Sequence, residues 1–141
     1  DAETRRAWLK QAVAGPVVSP VAKLFTLQKQ GDVPAIMAEQ RRLLDQWSFL
    51  PDKGRETVLV SILRWFPQAG RAEEGIILVL DCGTTLSPRV ATKLLSVAAS
   101  SLTPESIAAL VPQLRDRPEF EGPQIARLER MARLAPRRAS A

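Results

Sequence analysis

The chain lacks several residues on which catalytic and structural chemistry commonly depends. None of its 141 residues is histidine, which excludes imidazole metal ligands, histidine general bases and a Ser-His-Asp triad. The single cysteine, Cys82, excludes an internal disulfide and a cysteine-rich metal site. No apolar run approaches the roughly 20 residues of a membrane-spanning helix, and the most hydrophobic run, 76–80, is ended by Asp81. We therefore expect no metal, no cofactor and no membrane span.

Positive charge is concentrated at the C-terminus. The net charge of the chain is +5. Its apolar residues make up 45%, which is enough for one domain with a core. A basic terminus can contact nucleic acid, an acidic protein face or anionic lipid. It can equally be a solvated last helix whose cations interact favourably with the helix dipole. The candidate partner or RNA contacts are Arg127, Arg130, Arg133, Arg137 and Arg138.

Prolines recur at a nearly constant spacing, and each opens a segment with helical periodicity. Intervals of 35, 37 and 35 residues separate Pro16, Pro51, Pro88 and Pro123. A second turn signal falls inside each interval, at Gly31-Asp32, Gly70-Arg71 and Leu102-Thr103. This period is typical of helical hairpins that stack on one another, because a single hairpin cannot bury its own apolar face.

Capping residues and apolar periodicity predict an all-α fold of seven or eight helices, arranged as a solenoid of stacked antiparallel hairpins. The first predicted helix covers about 2–13. The predicted domain is 1–135, with repeats at about 16–50, 51–87 and 88–122, a final helix over 123–135 and a frayed tail over 136–141. These boundaries follow the proline junctions.

Two segments decide how far this prediction holds. The fourth helix is apolar on nearly all sides over 58–66, so we place it at the centre of the stack and expect Trp65 and Phe66 to be structural. Pro67 should end or kink this helix. The β-branched content of 75–80 suits a buried strand as well as a helix, and a strand there would contradict the solenoid.

The segment from Gly31-Asp32 to Leu50-Pro51-Asp52 resembles a pentatricopeptide (PPR) repeat, and the resemblance extends over about 16–122. PPR proteins usually bind single-stranded RNA, and two positions of each repeat read one base. The positions that correspond in this chain are Ala22 with Val17, Thr57 with Asp52, Leu94 with Arg89 and Glu129 with Gln124. Because only Asp52 with Thr57 fits the family's pairing, the resemblance does not favour a sequence-specific RNA reader.

The resemblance implies a non-catalytic subunit that docks on a larger mitochondrial assembly. PPR-like proteins are concentrated in mitochondria and plastids, so we expect a location on the matrix side with the presequence already removed. A PPR-like subunit on the F1 head of the euglenozoan mitochondrial ATP synthase is similar in size and character, which makes F1 subunits the candidate partners. A mitochondrial ribosomal subunit and an RNA-binding module that uses charge are the alternatives.

A second resemblance concerns the segment 77–85. Its sequence, Ile-Leu-Val-Leu-Asp-Cys-Gly-Thr-Thr, resembles the first phosphate loop of the sugar-kinase and actin superfamily, in which a buried strand precedes the loop that handles Mg-ATP. That fold needs two duplicated α/β domains, and Ser87-Pro88 begins another helix here. A nucleotide-binding enzyme that uses Asp81 to Thr85 is therefore a remote alternative. In the repeat interpretation this segment is a turn, with Gly83 ending a helix.

Overall fold

The computed structural model describes residues 19–140, with side chains up to Arg133. This part of the chain contains seven α-helices and no β-strand, which confirms the predicted all-α class. The first predicted helix, over 2–13, lies outside the described residues. In chain order the helices are α1 (Ala22–Gln30), α2 (Val33–Asp45), α3 (Asp52–Gln68), α4 (Ala72–Leu80), α5 (Pro88–Ser101), α6 (Pro104–Arg115) and α7 (Gly122–Ser140), and a short 3-10 turn covers Trp47–Phe49.

Three helices begin at a side-chain cap and have proline at one of their first two positions. The carboxylate of Asp32 accepts a hydrogen bond from Ala35 N at 3.3 Å before α2. The hydroxyls of Ser87 and Thr103 accept from backbone N–H groups at 3.3 and 3.2 Å before α5 and α6. These caps satisfy N–H groups that a first helical turn leaves without partners, and proline fits there because its missing N–H is not needed.

The predicted turns lie where the helices end. Gly31 and Gly70 take the left-handed conformation, with φ of 71° and 73°, which glycine adopts without the steric penalty of a Cβ. Leu102 has no such conformation, and Thr103 caps the next helix directly after it. Pro67 lies in the last turn of α3, so the helix ends one residue beyond the proline that was expected to end or kink it.

The segment 75–80 is helical, so the alternative prediction of a buried strand there is wrong. Glu73 and Glu74 lie in the first turn of α4, where carboxylates interact favourably with the helix dipole. Gly75 faces α3 so closely that a Cβ built on it would lie 2.7 Å from the Cβ of Phe66. The β-branched residues of 75–80 do not by themselves favour a helix. The helix that they form packs closely on α3.

The chain divides into two compact units between Val58 and Leu59, a boundary inside α3. In the first unit α1 packs on α2, and Leu24 and Ile36 are wholly buried. The single predicted domain over 1–135 stays a prediction, as do its repeat boundaries.

In the second unit α4 packs on α5, α6 packs on α7, and α5 also contacts α7. Ile76, Leu94 and Leu114 lie at its core, with side chains that are at most 1% exposed. Helix α7 continues to Ser140, past the end at 135 that the sequence predicts.

Candidate functional site

Helix α5 presents two contrasting faces. The buried face consists of apolar side chains at helical spacing: Val90, Ala91, Leu94, Val97 and Ala98. The opposite face carries small, polar or half-buried side chains at intervals of three and four residues: Thr92, Leu95, Ser96, Ala99 and Ser100. One stripe thus holds the helix in its unit, and the other remains accessible.

Helix α7 supplies a second stripe that faces the first. Gln124, Arg127, Leu128 and Met131 are spaced so that they share one side of the helix. The amide oxygen of Gln124 accepts a hydrogen bond from Glu121 N at 3.0 Å, which satisfies a backbone donor where α7 begins. The two stripes enclose an open groove of about 460 Å³, which we call the α5–α7 groove.

The α5–α7 groove is positively charged. An adjoining recess of about 360 Å³ shares Thr92 and Ser96 with it and adds Arg89 and Lys93 to the cation already supplied by Arg127. No carboxylate occurs among the described residues that line these two spaces, and α5 has no acidic residue from Pro88 to Ser101. The surface combines an apolar floor, hydroxyl groups and positive charge.

A second groove, of about 650 Å³, lies between α6 and α7 and has a different charge balance. Arg115 and Arg133 line it together with Glu105 and Glu129. Arg115 donates a hydrogen bond to the carboxylate of Glu129, and the Nε of Arg133 donates to the backbone oxygen of Glu129 at 3.4 Å. Carboxylates thus offset the cations in this α6–α7 groove.

The predicted basic terminus is therefore divided between faces of α7. Arg127 lines the α5–α7 groove, whereas Arg133 lines the α6–α7 groove. Six residues of helix turn a side chain by about 600°, which leaves the two arginines about 120° apart. Arg130 is exposed and lines neither groove. Arg137 and Arg138 belong to α7, but their side chains lie outside the described part.

The pair predicted to suit RNA recognition, Asp52 and Thr57, lies at the start of α3. Asp52 is exposed, and Thr57 is half-buried. The hydroxyl of Thr57 donates to Lys53 O at 2.9 Å. Five residues of helix place the two side chains about 140° apart around the axis, so they do not share one face of α3.

The segment Asp81 to Thr85 is a connection between two helices. The resemblance to a phosphate loop requires a preceding buried strand, and helix α4 occupies that place instead. The guanidinium of Arg117 donates to Leu80 O at 2.9 Å and to Thr84 O at 3.4 Å. These carbonyl oxygens face a cation, whereas a phosphate loop directs backbone N–H groups toward an anion.

Glu119 completes this arrangement, which we call the Arg117 clamp. Its carboxylate accepts from Arg117 at 2.8 Å and from Leu86 N at 3.0 Å, and its side chain is only 7% exposed. Desolvation by burial acts to raise the pKa of Glu119, but the hydrogen bonds from Leu86 and Arg117 together outweigh it and lower that pKa from its usual value. Sequence reasoning missed the clamp because its partners lie more than 30 residues apart.

The described residues contain no cluster of three or more cysteine, aspartate or glutamate side chains that could hold a metal ion. None of the helices in the described part is long and apolar enough to cross a membrane.

Comparison with protein families, with curated proteins and with solved structures found no match for this chain. The PPR resemblance and the F1 partner that it implies therefore stay predictions. The functional interpretation depends on the charge and shape of the two grooves on α7.

Proposed function

We propose that this chain is a non-catalytic helical-repeat subunit that docks on a larger protein assembly. In the proposed solenoid of antiparallel hairpins, α5 and α7 are the first helices of consecutive hairpins. First helices lie side by side when hairpins stack, and the contact between α5 and α7 supports this arrangement. Connections of two or three residues at 31–32, 69–71 and 102–103 also suit hairpins.

The α5–α7 groove is the observation that carries the proposal. Leu95 and Met131 offer half-buried apolar area, and Ser96 and Ser100 offer hydroxyl groups. Protein interfaces combine these two kinds of surface, with an apolar centre and a polar margin. A groove of this composition is suited to holding a partner.

The PPR resemblance supports a mitochondrial assembly as the partner and a location on the matrix side. The F1 part of ATP synthase is the first candidate, and the mitochondrial ribosome is the second. Purified F1 can be tested directly by gel filtration with the chain. Co-elution of the chain with F1 is the expected result. If the chain instead co-elutes only with mitochondrial ribosomes, the docking function stands and the partner is a different one.

An RNA-binding module is the second candidate function, because Lys93 and Arg127 could contact phosphates. Proteins that bind single strands through charge usually also stack bases on aromatic side chains. No aromatic residue occurs among the described residues that line the α5–α7 groove or its adjoining recess. This composition favours a protein partner over RNA.

Ribonuclease and salt distinguish the two functions. We expect the natively purified chain to keep its protein partner after ribonuclease treatment. Its affinity for single-stranded RNA should be weak and should fall steeply between about 50 and 200 mM salt, because phosphate contacts release counterions. Submicromolar RNA binding at the higher salt, with no protein retained, would contradict the docking function.

A further inference from the structure

We propose that the α5–α7 groove receives an acidic amphipathic helix of the partner protein. The proposal rests on the docking function above and adds the chemistry of the docked segment. The partner helix would place one apolar stripe on the groove floor and direct carboxylates toward Lys93 and Arg127.

The shape of the walls supports a helical occupant. The groove-lining residues of α5 recur at intervals of three and four, and so do those of α7, so both walls are straight stripes along helix axes. Ser96, Ala99 and Ser100 are small, which allows another backbone to approach closely. Leu95 and Met131 then lie where an apolar stripe of a third helix would pack, and methionine adapts its shape to such contacts.

The charge of the groove determines what flanks that stripe. Lys93 and Arg127 line a surface whose described lining residues include no carboxylate, so a partner segment would bring negative charge to a positive surface. The α6–α7 groove, on another face of the same helix, offers no such complementarity, because Glu105 and Glu129 lie beside its arginines. Complementary charge steers association and disfavours partners of like charge.

A designed peptide tests the proposal on the full chain. The probe is a fluorescein-labelled helix of about 18 residues, long enough to form in water, with leucine every third or fourth position and glutamate beside that stripe. One control peptide has the same composition with the stripe scrambled, and a second replaces each glutamate by lysine. Fluorescence anisotropy should show the acidic amphipathic probe binding about tenfold or more tightly than either control.

Two variants of α7 provide a matched pair. Arg127→Glu reverses a charge in the α5–α7 groove, and Arg133→Glu makes the same change on the side of α7 that faces α6. We expect Arg127→Glu to weaken probe binding about tenfold and Arg133→Glu to change it less than about twofold. Circular dichroism and thermal melting of both variants check that the fold is retained.

Three results would overturn the proposal: equal binding of the acidic and lysine probes, equal effects of the two variants, or preference of the groove for oligouridine over the acidic probe. These outcomes are separate from a failure of docking itself. If the native chain keeps a protein partner after ribonuclease and Arg127→Glu leaves that association unchanged, docking stands and the helix-in-groove inference is wrong. Loss of all partners after ribonuclease would contradict both.

Discussion

At the scale of residues, two features stabilise the described helices: large buried apolar side chains, and the hydrogen bonds of the Arg117 clamp. Phe66 is fully buried and Trp65 is 7% exposed, as expected for an apolar helix. The guanidinium of Arg64 lies 5.0 Å from the centre of the Trp65 ring, at cation–π distance. Glu119, in contrast, is a nearly buried charge, and it is tolerated because Arg117 and a backbone N–H surround its carboxylate.

Trp65→Ala should lower the free energy of unfolding by about 3–5 kcal/mol, because it removes a large buried side chain and leaves a cavity. Phe49→Ala is the control, since Phe49 is 84% exposed and its loss should change stability by about 0.5 kcal/mol or less. Urea unfolding of both variants measures the difference. An unchanged midpoint for Trp65→Ala would mean that this ring serves a surface contact.

Glu119 should make stability depend on pH in the acidic range. Its pKa is lower in the folded chain than the ordinary value, which is about 4.3 in unfolded peptides. The stabilisation is therefore fully present above that pH and is lost as pH falls through the folded pKa. The difference in unfolding free energy between the parent chain and Glu119→Gln should shrink from pH 5 to pH 3. The exposed Glu121→Gln serves as the control, and a constant difference for Glu119→Gln would contradict the linkage.

At the scale of elements, helices meet where small residues let them approach. Gly75 lets α4 pack directly against Phe66 of α3. On α5, the small side chains of Ser96 and Ala99 instead leave room in the groove beside α7. The phase of α7 matters equally, because its rotation sends Arg127 toward α5 and Arg133 toward α6. Packing of elements thus determines both the core contact and the charge of each groove.

Gly75→Ala should destabilise the chain, although alanine favours a helix over glycine by about 1 kcal/mol. The added Cβ would lie 2.7 Å from Phe66 Cβ and 3.1 Å from its Cγ, and Phe66 Cβ is fixed to the backbone of α3. Overpacking of this kind typically costs about 1–3 kcal/mol. Gly122→Ala meets nothing within 4 Å and is the control. Thermal melts that show Gly75→Ala at or above the parent midpoint would disprove the close contact.

For the whole molecule, the choice between a docking subunit and a nucleotide-dependent enzyme depends on the connection after α4. Leu80 O and Thr84 O face the guanidinium of Arg117, and no strand precedes Asp81 in the described part of the chain. Together with an α5–α7 groove whose described lining residues include no carboxylate, this geometry supports the docking proposal.

The chain should accordingly show no micromolar binding of Mg-ATP in isothermal titration calorimetry. Asp81 is an exposed turn residue, so Asp81→Ala should leave partner binding unchanged and lower stability by only about 0.5 kcal/mol. The alanine variant is measured beside the parent chain in both assays. Micromolar binding of Mg-ATP that Asp81→Ala abolishes would restore the enzyme interpretation.

Local chemistry alone located most of the described helices. Asp32, Ser87 and Thr103 cap backbone groups within three residues of themselves, and Gly31 and Gly70 adopt a conformation open to glycine without strain. Such signals act over one turn, so they are readable without knowing what packs nearby. They determined the all-α class and the positions of the short turns.

Tertiary structure decided the remaining features, because they depend on residues distant in sequence. The segment 75–80 could be a strand or a helix by composition, and its packing on Phe66 accompanies the helix. The clamp joins Arg117 and Glu119 to backbone groups more than 30 residues away. In the sequence the arginines of α7 form one basic cluster. The orientation of α7 between α5 and α6 places Arg127 in a positively charged groove and Arg133 in a groove where carboxylates offset the cations. Tertiary structure decides this, because the charge of a surface depends on which side chains face each other.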